Sequence, residues 1–193
     1  MSELPPDLQT FADALDRADG AAEALASRLD DEGFFWQPDE GRRWSVALCL
    51  DHLTVANTVY GASMRTAVDR ARAAGWSRRA PARPGFFGRQ FANSLEPPVT
   101  RRMRAPRKII PRPITSRDEI LRSYRDAHDR LRKLLADSAA IDVNRAKFRN
   151  PFIHVVRVRI STAFNVIAAH DRRHLWQAEQ VEKEYRRSRT SKS

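Results

Sequence analysis

One cysteine, Cys49, stands in the whole chain, so no disulfide can form within it and nothing in its thiol content demands an oxidising compartment. No apolar run approaches the roughly 18 residues that a membrane-spanning helix needs. The first ten residues hold neither a basic stretch nor an apolar one, but Glu3, Asp7 and two prolines, so no signal peptide is expected and the chain reads as cytoplasmic. Internal repeats are missing too. Acids are outnumbered, 24 against 35 lysines and arginines, which leaves a net charge of +11.

That charge has an address. Between Trp76 and Pro113 stand ten basic residues (Arg78, Arg79, Arg83, Arg89, Arg101, Arg102, Arg104, Arg107, Lys108 and Arg112) against the single acid Glu96, a local net of +9 that leaves only +2 for the rest. The basic character therefore belongs to one segment. Hydrophobic residues at 41% and charged residues at 31% describe a globular protein, and 193 residues suit one domain, expected over 1–185 with a solvated basic tail at 186–193.

Apolar positions recur in three- and four-residue steps over four stretches. Leu8, Phe11, Leu15, Ala18, Ala22, Leu25 and Leu29 predict a first helix from about Pro6 to Asp30. Trp44-Ser45 opens a second, with Leu48, His52, Val55, Val59 and Ala62 on one stripe, running to about Ala74 with Gly75 as its cap. Ser116 and Glu119 form a capping box for a third, through Ile120, Tyr124, Ala127, Leu131 and Leu134 to about Asp137. The fourth spans about Ile160 to Tyr185, with Ala163, Ile167, His170, His174, Ala178 and Val181 on one stripe. Between the second and third, residues 76–115 hold seven of the eleven prolines, so a long crossover loop is expected there, tacked to the body by Phe86, Phe87 and Phe91. The class expected is an all-α, up-down four-helix bundle with that crossover.

Three histidines fall on these apolar stripes. His170 and His174, four residues apart, sit one turn apart on the same face, and His52 is the second helix's only histidine. Burying three imidazoles is costly unless each finds partners. One reading is three histidines satisfied by backbone and water; the other is a shared metal. Three neutral nitrogen ligands suit zinc, nickel or ferrous iron better than magnesium or calcium, and leave a position open for water or substrate. Asp171 could orient a ligand imidazole from outside the coordination sphere, although a solvent-facing aspartate is the commoner case. Cys49, three residues before His52, reads as a small core residue; His128 reads as an ordinary partly buried histidine and His154 as a surface one. Trp44 and Trp176 read as packing aromatics.

Trp44-Ser45-Val46 leading into Asp51-His52-Leu53, and the later Ala169-His170-Asp171-Arg172-Arg173-His174-Leu175-Trp176-Gln177, resemble the DinB-like superfamily, which includes bacillithiol- and mycothiol-dependent S-transferases. The resemblance implies a metal triad of His52, His170 and His174, a zinc or nickel ion, a low-molecular-weight thiol or other small-molecule substrate, and a homodimer. It implies a metal-dependent transferase, or a hydrolase, in which thiol or water is activated at the metal. Catalytic residues beyond the triad are not specified. Two other classes remain open: a nucleic-acid-binding protein using the basic 78–112 segment with Trp76, Phe86, Phe87 and Phe91 as stacking surfaces, and a non-catalytic metal-binding dimeric bundle.

Overall fold

The computed structural model describes residues 3–99, 105–113 and 115–190. Its helices are α1 (Pro6–Ser27), α2 (Asp31–Phe35), α3 (Val46–Ala73), α4 (Phe86–Leu95), α5 (Arg117–Ser138) and α6 (Ile160–Thr190). Among the described residues the one sheet is an antiparallel ribbon of β1 (Lys147–Arg149) and β2 (Arg157–Arg159). The fold is all-α apart from that ribbon.

Local chemistry explains where the helices start and stop. Pro6 occupies the first turn of α1, where a missing N–H costs nothing. The Ser45 hydroxyl accepts from the Leu48 N–H, and the Ser116 hydroxyl from the Glu119 N–H, so both serines cap the helices they precede. Gly75 ends α3 at φ +63°: its N–H reaches the Arg72 carbonyl while the Trp76 N–H reaches that of Ala71, the paired bonds of a Schellman stop.

The long helices bury their stripes in two stacked clusters, and the membership of each gives their directions. One cluster takes Leu8 and Leu15 from the start of α1, Met64 and Val68 from the end of α3, Leu131 and Leu135 from the end of α5, and Ile160 and Ile167 from the start of α6. The other takes Leu25 from the end of α1, Leu50 and Leu53 from the start of α3, Ile120 from the start of α5, and Val181 from the end of α6. Hence α1 and α6 run one way and α3 and α5 the other. Two helices in succession that point the same way need a connection that travels back their full length, about 42 Å for the 28 residues of α3. That requirement accounts for the long segment 74–116. Its described parts leave α3 beside the end of α5, where the Asp142 N–H bonds the Trp76 carbonyl, lie along α6 as α4, and meet α3 again at residues 107–109.

Three expectations need correction here. The crossover is not irregular throughout, because residues 85–96 contain no proline and form α4. Ala92 and Leu95 fasten it to Val166 and Ala169 of α6, whereas Phe86, Phe87 and Phe91 are exposed rather than tacked down. The third concerns the C-terminus. Helix α6 continues through residues 186–190, since Arg186 pairs with Glu182 and Arg189 with Glu32; positions 191–193 of the expected tail lie outside the described residues, as do Arg101, Arg102 and Arg104.

Gly88 sets how closely α4 can lie on α6. A Cβ there would collide with Thr162 Cγ2. Gly88→Ala is expected to lower stability by about 1–3 kcal/mol through overpacking, measured by denaturant unfolding; a variant as stable as its parent would show that α4 moves freely.

Candidate metal centre

Helix α3 delivers His52 and α6 delivers His170 and His174 to one point. One ring nitrogen from each lies within 4.8 Å of the other two, with His52 Nε2 and His170 Nε2 3.2 Å apart. A tetrahedral ion with nitrogen ligands at 2.0–2.1 Å would hold such nitrogens about 3.3 Å apart. The three rings pack edge-on, with centroids 4.5–5.0 Å apart, and the Trp44 ring lies 4.8 Å from that of His52.

The outward nitrogens determine which lone pairs face inward. Nδ1 of His52 is 2.6 Å from the Ile109 carbonyl, which can only accept, so Nδ1 carries the proton and Nε2 keeps its lone pair. His174 Nδ1 sits 3.1 Å from Gln177 Oε1, the same arrangement. Outer partners of this kind fix a ligating imidazole's tautomer and orientation. Burial pushes the His170 pKa down to about 4, helped by the neighbouring His52; burial, then His170 and His52, holds His174 well below its ordinary value. His52 is also lowered by burial, against the opposing pull of the Ile109 carbonyl, Asp51 and Asp171. The rings are thus neutral donors at neutral pH, and the cluster could hold a divalent ion.

The segment supplying Ile109 is anchored a second time. Arg112 donates to Asp51, next to His52, through its backbone N–H at 2.5 Å and its guanidinium at 2.6 and 3.0 Å. Asp51 is 1% exposed, so this charge-assisted fork satisfies a carboxylate that would otherwise be buried unpaired. Arg112→Ala is expected to free the arm and lower metal affinity about 10- to 100-fold, the usual effect of losing an outer partner; unchanged affinity in a competition titration would refute the link. Nothing local in the sequence announced this clasp, because its two sides lie 61 residues apart.

The remaining candidates distribute differently. Asp171 is 1% exposed, not solvent-facing, and its carboxylate accepts from Asn57 Nδ2 at 3.0 Å and faces His128 Nε2 at 3.4 Å. His128 is wholly buried rather than partly, and its Nδ1 lies 2.7 Å from Asp19, which also takes Arg132. Among the described residues, His128 Nδ1, one oxygen of Asp19 and one of Asp171 have no well-aligned hydrogen-bond partner. Burial alone would lower the His128 pKa, but Asp171 and Asp19 override it and push it up to about 9. Cys49 is buried and its thiol is pushed up to about 12 by burial, consistent with a core role. His154 is exposed.

The histidines open onto a cavity of about 460 Å³ whose wall is largely apolar, including Trp44, Tyr60, Phe91 and Val166, with Arg173 its one charged residue among those described. A helical fold with facing histidines on two long helices and an open cavity at their meeting point defines a helical candidate metalloprotein. The DinB superfamily model matches residues 14–178, and the chain belongs to that family. No curated protein and no solved structure matches it significantly. No described helix is long and apolar enough to cross a membrane.

Proposed function

We propose that this DinB-superfamily protein is a metal-dependent enzyme, a thiol S-transferase, whose ion is held by His52, His170 and His174. The observation that carries the reading is the trio of neutral imidazoles whose inward nitrogens converge at the wall of a substrate-sized cavity. Zinc or nickel fits this donor set, with iron an alternative. Such an ion supplies Lewis acidity, which lowers the pKa of a thiol or water placed against it.

The chain's own residues favour thiol over water. Hydrolysis calls for a positioned general base, yet among the described residues lining the cavity there is no carboxylate, and the histidines present are the three that converge. A thiol needs less help, since it can give up its proton to solvent on binding. The apolar wall then suits an electrophile with a hydrophobic body, and Ile109 and Trp44 shield the His52 side from water. The resemblance to bacillithiol- and mycothiol-dependent S-transferases points to a low-molecular-weight thiol and to a homodimer.

Cobalt or nickel substitution followed by titration with low-molecular-weight thiols tests this. A sulfur-to-metal charge-transfer band saturating at about one thiol per site is expected, and absent from the His174→Ala variant. Retention of the ion with no band for any thiol would eliminate the transferase reading.

A further inference from the structure

Among the described residues, no acid pairs with the cations on the outer face of the ribbon. Its register sets Lys147 opposite Arg159 and Arg149 opposite Arg157. All four are exposed, while Phe148 and Val158 between them point inward. Directly opposed residues share a face of an antiparallel pair, where like charges destabilise the pairing. The buried pair suffices to hold the ribbon down, so folding alone gives no reason for four cations on the other side.

A neighbouring helix completes the feature. Ser63, Thr66 and Arg70 lie on one stripe of α3, and with Lys147, Phe148, Arg149 and Arg157 they line an open concavity of about 350 Å³. No carboxylate belongs to that lining. Asp69, next to Arg70 in sequence, is paired with Arg65 at 3.5 Å, and Asp137 with Arg65 at 2.7 Å and Arg72 at 3.4 Å. The concavity shares no lining residue with the histidine cavity.

We propose that this concavity is an anion site that binds the phosphate groups of a small phosphorylated ligand. Three guanidiniums and an ammonium supply the many donors that a tetrahedral, multiply charged anion accepts, in a geometry that planar forks favour. The Thr66 hydroxyl adds a neutral donor, while that of Ser63 donates to the Val59 carbonyl at 3.1 Å. The size of the hollow fits one or two phosphoryl groups rather than the width of a duplex.

Isothermal titration of the full chain with inorganic phosphate and with pyrophosphate, at low ionic strength, tests the assignment. Saturable binding is expected in the parent, and affinity at least about tenfold weaker in Arg149→Gln/Arg157→Gln. Arg70→Gln, on a separate element, should weaken it as well, which a defect confined to the ribbon would not do. Arg79→Gln and His52→Ala should bind like the parent, and the ribbon variant should melt no lower than the parent because a repulsion has been removed. The assignment is overturned if the parent binds neither anion, or if the ribbon and Arg70 variants bind unchanged. It is equally overturned if His52→Ala abolishes binding, placing the anion at the histidines, or if an oligonucleotide binds saturably and pyrophosphate does not.

Discussion

Replacing His52 or His174 by alanine is expected to take the metal content of the purified protein from about one equivalent per chain to a small fraction of that. Either change leaves two imidazoles, and two neutral ligands without a carboxylate hold a divalent ion weakly. The drop in affinity should exceed the roughly 100-fold upper range for losing an outer partner. The two variants are informative together because their ligands lie on different helices. Loss in both shows that α3 and α6 share one ion, whereas retention in His52→Ala alone would reduce the site to the His170 and His174 pair. Elemental analysis beside circular dichroism separates metal loss from unfolding, and retention by both variants would refute the centre.

His128→Leu is expected to be the most destabilising single change outside the apolar core. It strips the imidazolium from between Asp171, which is 1% exposed, and Asp19. Removing one partner of a buried ion pair typically costs about 3–5 kcal/mol, because the other charge stays buried and unpaired. The pH dependence supplies a second readout. His128 has a folded pKa of about 9, above its ordinary 6.5. A group raised on folding binds its proton more tightly in the native state, so its contribution is complete below the unfolded value and is lost as pH climbs through the folded one. The parent should therefore lose stability between pH 6.5 and about 9, by roughly 3 kcal/mol for a shift of that size. In His128→Leu that alkaline decline should vanish. A parent whose melting temperature is flat over this range would show that His128 is not the buried cation described.

What the sequence made legible was whatever depends on neighbours along one helix. The stripes of α1, α5 and α6, the Ser116 cap, the Gly75 stop and the shared face of His170 and His174 follow from three- and four-residue spacing or from one residue's conformational preference. The stripe expected for α3 does not hold: of Leu48, His52, Val55, Val59 and Ala62 only His52 is buried, and the core face is built from Cys49, Leu53, Ala56, Tyr60 and Met64 instead. Pairings between distant segments were not legible. Asp171 looked like a surface residue because Asn57 and His128, its partners, come from α3 and α5. The Arg112 clasp was hidden in a basic run whose net charge suggested an outward-facing surface, yet Arg112 turns to Asp51 and Arg78 to Asp7. Helix α4 is masked in the sequence by the high proline density of 76–115 as a whole, although the window from Gly85 to Glu96 is free of proline. The exposed phenylalanines have a related cause: apolar residues imply burial only on average, and Phe87 and Phe91 stand at the rim of a cavity.

The separation of the histidines along the chain carries a consequence for biosynthesis. His52 and His170 are 118 residues apart, and the Ile109 carbonyl that orients His52 arrives between them. A chain leaving the ribosome exposes His52 long before any companion exists, so an ion met at that stage is offered a single imidazole. Only when α6 has emerged and docked do three nitrogens converge. In the proposed centre, an ion is therefore held only after α6 has docked, and a chain that stops within the crossover is expected to retain none.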